Sequence, residues 1–337
     1  MRVSITIPCR NEKKYIGKCL QSIVDCNYDK SLLNVYVCDG LSDDGTQEII
    51  QTFATHHPFI HLINNLQKTT PQALNLGIKA DDSDLKIILG AHAEIDKEYV
   101  FNAVALLNRI PDVDCVGGII ENVMEDEVSE VISLAMSSSF GVGNAHFRTG
   151  NKDGYVDTVA FGAYKDSVFK TVGYFDEDLV RNQDDEFNFR LINNGLKIYL
   201  SKDIRSKYFV RASFQKLFKQ YFQYGYWKVY VNKKHKTVTT MRQLVPAAFV
   251  LFNIVSIISG LFYSPLFTAY AAIISLYFAG AIYSAYKKTG LQFSKMISVV
   301  YTFLILHLSY GTGYLKGILE FILLNKQPSK KSTELTR

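Results

Sequence analysis

Four short polar runs hold the residues of this chain that could do chemistry: Pro8-Cys9-Arg10-Asn11-Glu12, Asp39-Gly40, Gly90-Ala91-His92-Ala93-Glu94, and Asn182-Gln183-Asp184-Asp185-Glu186-Phe187-Asn188-Phe189-Arg190. In the first, Arg10, Glu12 and the neighbouring backbone could hold a planar base and its ribose, provided they stand at a sheet edge. A plainer reading makes Asn11 a helix cap and Glu12 an acid favoured by the helix's positive end. Asp39 could accept a hydrogen bond from a ligand, or only start a turn with Gly40. A lone histidine such as His92 is usually structural, although imidazole can also bind a metal or, when protonated, a phosphate. In the last run, helical spacing puts Asp184 on one face with Phe187 and Leu191, which must point inward. Asp185 is then turned about 100° away, with Asn188 and Phe189. Glu186 and Arg190, four apart, suit an intrahelical ion pair. Asp184 is thereby the carboxylate delivered to a cleft, where a general base would stand. An acid-rich helix start explains one such residue but not the whole run.

These runs need a frame that brings them to one edge, and the surrounding pattern supplies it. Val3 to Pro8, Val35 to Asp39, Ile60 to Asn64, Leu85 to Leu89 and Val113 to Ile119 read as strands. Tyr15, Ile16, Cys19, Leu20, Ile23 and Val24 recur at helical spacing between the first two, and Ile49, Ile50, Phe53 and Ala54 repeat the pattern in the next crossover. Strands alternating with helices predict an α/β domain with a mostly parallel sheet. In such sheets ligands bind beyond the carboxyl ends of the strands, where the first three polar runs fall. The five cysteines, Cys9, Cys19, Cys26, Cys38 and Cys115, form no C-x-x-C pair and read as free thiols in a reducing compartment. The opening Met1-Arg2-Val3 is strand-like and is no signal peptide, so the N-terminal domain is expected in the cytoplasm.

The C-terminal part differs in kind. No charge interrupts Gln243 to Tyr286, 44 residues, and Met296 to Leu315 is uncharged over another 20. The first run is long enough for two membrane spans joined at Tyr263-Ser264-Pro265, and the second for one more. The expected spans are about 244–263, 266–286 and 296–315. Lys233, Lys234, Lys236 and Arg242 precede the first, and Lys287, Lys288 and Lys295 follow the second, which orients the N-terminal domain to the cytoplasmic side. Lys326, Lys330 and Lys331 also prefer that side, so the third run is left open between a span and a re-entrant segment broken at Gly311-Thr312-Gly313. From Lys197 to Arg242 twelve Lys or Arg stand against one acid, Asp203, interleaved with aromatic residues such as Phe214, Tyr221 and Trp227. Beside a membrane span this mixture favours an anionic lipid surface over nucleic acid. The expected layout is a catalytic domain at 1–211, an interfacial helix at 212–242, a membrane region at 243–325 and a polar tail at 326–337.

The ordered set of motifs resembles glycosyltransferase family two with the GT-A fold. It is similar in particular to the subgroup typified by succinoglycan-type exopolysaccharide biosynthesis enzymes. There a His-Ala step follows the fourth strand, and a Q-x-x-Y-G-x-W-like stretch, here Gln220 to Trp227, precedes membrane helices. The resemblance implies a Rossmann-like domain followed by an α-helical membrane region, in a multi-pass protein of the inner membrane. It implies that Asp39 accepts a hydrogen bond from the base, with Pro8, Arg10, Glu12, Asn75, Ala91 and His92 also binding the nucleotide sugar. Asp184 matches the family's base, and the residue before it is Gln183 where Glu is usual. Gly162 and Ala163 would line the acceptor pocket, with Gln220 and Trp227 closing it from the membrane side.

Most of the family carries D-x-D where this chain has Gly90-Ala91-His92. The implied divalent cation, Mn²⁺ or Mg²⁺, would therefore have His92 as its ligand. The activity implied is inverting transfer of a sugar from a nucleoside diphosphate donor, by family habit uridine, to a lipid-linked or polysaccharide acceptor. A catalytically degenerate nucleotide-sugar binder that scaffolds polysaccharide assembly would also account for Gly90 and His92. A nucleotide-sugar pyrophosphorylase would need a glycine-rich phosphate loop near the N-terminus and would not need the membrane spans.

Overall fold

In the computed structural model, the described residues are all but Asn144, Asn151, Arg211, Ala212, Thr240 and 329–337. Lys330, Lys331 and most of the predicted tail thus lie outside the described residues. The chain forms two compact units: residues Met1–Asn122 with His146–Phe209, and Val123–Ala145 with Val210–Arg337.

The first unit begins as the strand and helix pattern predicts, with β1 (Val3–Cys9), α1 (Ile16–Val24), β2 (Leu33–Asp39), α2 (Thr46–His56), β3 (Ile60–Asn64), α3 (Thr70–Ile78) and β4 (Leu85–Ile88). Then come β5 (Ala93–Ile95), α4 (Tyr99–Arg109) and β6 (Cys115–Val123). The chain next contributes α5 (Glu127–Met136) and α6 (Ser139–Val142) to the second unit. It returns as α7 (His146–Thr149), β7 (Gly154–Val156), β8 (Ala160–Lys165), α8 (Asp166–Val172), α9 (Gln183–Asn193) and β9 (Ile198–Phe209).

The sheet runs β3-β2-β1-β4-β8-β6-β9-β5, with β7 on β9. Its first four strands are parallel, and the register sets Cys9 level with Asp39 at their carboxyl ends. β8 pairs antiparallel with β4 and β6, and β9 pairs antiparallel with β5 and β7, so the sheet as a whole is mixed. All but one residue of β1 and of β2 are buried, as strands covered on both faces require. Ile16, Cys19, Leu20 and Ile23 of α1 are buried in the core around β1, β2 and β4. A second cluster joins Tyr164 of β8 and Phe169 of α8 to Phe187 and Leu191 of α9. The five cysteines are free thiols, all buried.

The second unit is helical: α5, α6, α10 (Phe214–His235), α11 (Val245–Gly260), α12 (Ser264–Thr289) and α13 (Phe293–Gly317), followed by a π-helical turn at Ile318–Leu323. Three stretches are long and apolar enough to cross a membrane: Met241–Gly260, Ser264–Thr289 and Phe293–Leu323. α13 passes through Gly311-Thr312-Gly313 without a break, contrary to the interruption considered there. The glycines serve close packing instead. A Cβ at Gly313 would stand 2.0 Å from the Phe222 carbonyl oxygen of α10, and one at Gly225 of α10 would stand 2.0 Å from that of Tyr310. A Cβ at Gly311 would meet the carbonyl oxygen of Pro246, on α11, at 2.3 Å. Tyr226 Oη donates to Glu320 at 2.6 Å, and Asn232 Nδ2 donates to Tyr314 Oη at 3.0 Å, locking α10 to the last helix. Tyr226 is consequently buried; Trp227 and Lys228 are buried as well, whereas Phe218 is exposed.

α5 and α6 belong to the same packing, although sequence patterning leaves 123–145 within the first domain. Lys295 Nζ donates to Glu130 at 2.7 Å. His307 Nε2 donates to the Phe140 carbonyl at 2.9 Å, which leaves Nδ1 to accept from Tyr277 Oη at 2.8 Å.

Candidate active site

The carboxyl ends of β1 and β2 are tied into one polar knot. Asp39 is fully buried, and both its oxygens are engaged: Oδ2 accepts from Ser42 N at 2.8 Å and Gln47 Nε2 at 2.6 Å, and Oδ1 from Ser42 Oγ at 2.5 Å. Ser42 Oγ also accepts from Asn11 N at 2.8 Å. Asn11, left-handed at φ 54°, exchanges two hydrogen bonds with Asp43, at 3.0 and 3.1 Å. It therefore clamps two loops and does not cap α1, whose N-cap position is Tyr15. Asparagine suits this place because its short polar side chain tolerates left-handed backbone. Glu12 N donates to Thr46 Oγ1 at 2.9 Å, and the side chain of Arg10 packs over Gly40. Pro8 is half-buried at the end of β1. Sequence reasoning passed over Ser42 and Gln47, since neither belongs to a motif.

Beyond β4, Ala91 is buried and His92 half-buried, with His92 Nδ1 3.5 Å from Glu12 Oε1. The structure thus joins the first and third polar runs. The His92 ring meets Tyr208 of β9 edge-on, with centroids 4.9 Å apart. Phe161 stands over Gly90: a Cβ at position 90 would lie 3.1 Å from the Phe161 ring. Phe161 has a strained left-handed backbone at φ 50°, and its carbonyl accepts a hydrogen bond from Tyr99 Oη, which holds the ring in place.

At the other side of the sheet, α9 begins at Gln183 with Asn182 left-handed before it, and carries Asp184, Asp185 and Glu186 in its first turn. Phe187 and Leu191 are buried as the helical phase requires, and Glu186 binds Arg190 through two hydrogen bonds of 2.8 and 3.0 Å. Asn188, expected on the outer face, is buried as well. Its carboxamide accepts from Tyr164 Oη at 3.1 Å and donates to Thr158 Oγ1 at 2.9 Å. A buried amide with two such partners is a satisfied polar group, which no spacing rule reveals. Burial, then the nearby Cys115 and Asp184 charges, raise the Tyr164 hydroxyl pKa well above its ordinary value. Asp184, expected on the inward face with Phe187 and Leu191, is instead exposed, while Asp185 is half-buried; Asp184 stands one turn before Asn188, which binds Tyr164 of β8, and its Oδ1 accepts from Asp185 N at 2.9 Å.

Gly162 and Ala163 lie buried in β8, with Gly162 against the Tyr164 ring. Asn75 is buried in α3. Its amide donates to the Phe175 carbonyl and Glu177, both at 2.9 Å, and its oxygen accepts from Phe175 N at 2.9 Å, so its contacts support the 175–177 loop. Gln220 and Trp227 stand on α10 of the second unit, both buried, and Gln220 Nε2 donates to Tyr224 Oη at 2.7 Å.

The family model described as Glycosyl transferase family 2 matches residues 4–173, half of the chain. The chain belongs to that family. It is a glycosyltransferase with a GT-A-like fold. Family members similar to it include the dolichyl N-acetyl-alpha-D-glucosaminyl phosphate 3-beta-D-2,3-diacetamido-2,3-dideoxy-beta-D-glucuronosyltransferase of Methanococcus voltae. It is 33% identical over 77% of this chain and 82% of its own. The succinoglycan biosynthesis protein ExoA of Rhizobium meliloti is 29% identical over 72% and 74%, in keeping with the subgroup the motifs resemble. Among solved structures, the mannosyltransferase PcManGT of Pyrobaculum calidifontis, in complex with GDP-Man and Mn²⁺, aligns with a TM-score of 0.61 at 18% identity. The alignment covers 90% of this chain and 87% of that one.

The divalent cation implied for this family does not fit the residues present. Gly90 and Ala91 offer no side-chain ligand atom, the Phe161 ring takes the space a side chain at 90 would enter, and among the described residues His92 has Glu12 as its one acidic neighbour in ion-pair range. Among the described residues no three His, Cys, Asp or Glu come together as a metal site. At phosphate sites hard cations such as Mg²⁺ are held by carboxylates together with substrate phosphates, and 90–92 carries no carboxylate, so no step below is routed through a metal.

Proposed function

We propose that this glycosyltransferase moves a sugar from a uridine diphosphate donor onto a hydroxyl of a lipid-linked or polysaccharide acceptor, with inversion, using Asp184 as the base. The observation that carries this reading is the exposed carboxylate of Asp184 at the start of α9, near β8, in a fold whose parallel strands end at Arg10, Glu12, Asp39 and His92. The knotted loops after β1 and β2 form the nucleotide's seat, with Pro8, Arg10, Glu12, Asp39, Ala91 and His92 around it and Asn75 supporting from behind. Gly162 and Ala163 border the acceptor. Gln220 and Trp227 are assigned to the acceptor end by family likeness alone.

In the reaction the acceptor oxygen attacks the anomeric carbon from the side opposite the diphosphate. The carbon–oxygen bond to the diphosphate breaks, its electron pair stays on the phosphate oxygen, and the acceptor's proton passes to Asp184. One displacement gives one inversion. We take 1–211 as the catalytic domain, 212–242 as an interfacial segment on an anionic inner leaflet, and 243–325 as a multi-pass anchor that keeps the catalytic domain cytoplasmic. Three helices of sufficient length and apolarity and the basic residues flanking them support that layout. The lipid- and polysaccharide-linked products in the relatives' names support the acceptor class.

The test is a donor panel with the full chain in detergent: UDP-, GDP- and TDP-sugars, a polyprenyl-phosphate-sugar acceptor, and the anomeric configuration of the product. A UDP-sugar should be consumed with inversion. Retention of configuration would remove the single-displacement mechanism, and consumption of a GDP-sugar alone would remove the uridine assignment.

A further inference from the structure

The leaving diphosphate gathers negative charge as the sugar departs, and the residues at 90–92 bring neither a carboxylate-held cation nor a permanent positive charge to meet it. Among the described residues of the first unit, a permanent positive charge shares a ring neighbour with His92. Arg148, on α7, lies with its guanidinium carbon 5.4 Å from the Phe147 ring centre and 5.7 Å from that of Tyr208. The same Tyr208 ring contacts the His92 ring edge-on at 4.9 Å and lies 6.5 Å from Phe161, the residue standing over Gly90. Phe147 is itself packed against the core cluster of β8, α8 and α9, so the stack has a fixed base. Arg148 Nη1 is buried, yet has no hydrogen-bond partner among the described residues.

A buried, unsatisfied guanidinium N–H is costly to keep, and water, an ion or a ligand completes such a group in natural proteins. Two aromatic neighbours engage a guanidinium through its π surface, while its N–H fork remains suited to paired phosphate oxygens. Lysine would not do the same, because its ammonium is a point charge without the planar fork.

We propose that Arg148 binds the donor's diphosphate and supplies the positive charge that most of the family obtains from a carboxylate-bound cation, with Tyr208 holding it beside His92. This rests on the nucleoside diphosphate-sugar reading above. Arg148 acts by charge and hydrogen bonding alone: it receives no proton, and the electron pair of the broken bond stays on the phosphate oxygen.

Calorimetry on the full chain in detergent, with chelator present throughout, separates the two readings. Uridine and UDP are titrated into wild type, Arg148→Ala and Arg148→Lys, with guanosine and GDP as a second pair. Wild type should bind UDP more tightly than uridine. Arg148→Ala should weaken UDP by on the order of 10–100-fold while leaving uridine unchanged, and Arg148→Lys should fall between. Tyr208→Leu, which removes the ring but no charge, should weaken UDP by less than Arg148→Ala. Equal UDP affinity in wild type and Arg148→Ala overturns this inference and leaves the donor reading standing. Wild type that binds no nucleoside diphosphate overturns both. Parallel loss of uridine and UDP would mean that Arg148 supports the fold and does not read the phosphates.

Discussion

Asp39 ends a parallel strand of the sheet and Asp184 opens a helix, and the surroundings of the two carboxylates differ sharply. Asp39 is fully buried, with Ser42 and Gln47 on its oxygens, and the backbone around it is stitched to Asn11 and Glu12. Asp184 is exposed at a helix start, with one hydrogen bond from the next residue's backbone among its contacts. The first arrangement spends a charge on rigidity. The second leaves a charge facing solvent, where an incoming hydroxyl can reach it. The contrast teaches that binding and proton transfer need opposite treatment of the same chemical group: one carboxylate buried and held before the ligand arrives, the other exposed to what arrives.

The sharpest way to break this comparison is at Asp184. Asp184→Asn should slow transfer by on the order of 10²–10⁴-fold with donor affinity and melting temperature nearly unchanged, whereas Asp185→Asn should cost far less. Single-turnover rates and nucleotide titrations on both variants check it. A wild-type rate in Asp184→Asn with a dead Asp185→Asn would exchange their roles.

Asp39→Ala should behave in the reverse sense. It leaves the half-buried Ser42 and Gln47 without their acceptor, at a cost of about 1–3 kcal/mol in all, since water can reach them in part. Denaturant unfolding of the full chain should therefore show a loss of stability, and nucleotide affinity should fall with it. Retained stability with lost nucleotide binding would make Asp39 a direct ligand to the base, as the family resemblance implies, and not chiefly an organiser of the loop.

The smallest effect is expected from chelator. With no fitting donor set at 90–92, removal of divalent ions should change transfer by less than about twofold, against losses of about 10²–10³-fold when a group stabilising the transition state is removed. Loss of activity in chelator, restored by Mn²⁺, would return a cation to His92 and Glu12.

The parallel half of the sheet was legible because buried strands between amphipathic helices leave continuous apolar runs, as in Val3 to Pro8 and Val35 to Asp39. The antiparallel half was not. β9 reads Ser-Lys-Asp-Ile-Arg-Ser-Lys over much of its length, and its polar residues, the buried Ser201 and Ser206 among them, hide a strand of which half the positions are buried. The segment 123–145 went unread for a different reason: the fit of α5 and α6 to distant α12 and α13 depends on pairs such as Glu130–Lys295, 165 residues apart, that no local window contains. At the site, motif positions located the sheet-edge residues but not their partners. Arg148 lies in no motif. The one signal pointing towards it is chemical: where a diphosphate must be held and the usual acids are replaced by Gly90 and His92, a cation is owed from somewhere else.

The glycine-mediated seam between α10 and α13 also sets an order of assembly. Asn232 and its partner Tyr314 are 82 residues apart, an interval of roughly 4–16 s at ordinary translation speeds. For that time the newly made α10 carries Tyr226 and Trp227 without the helix that will cover them. Its lysines and uncovered rings have the composition of a peptide that rests on an anionic bilayer surface. The burial of Tyr226 thus waits on α13 and the turn that follows it, and α10 is completed only when those later residues have been made.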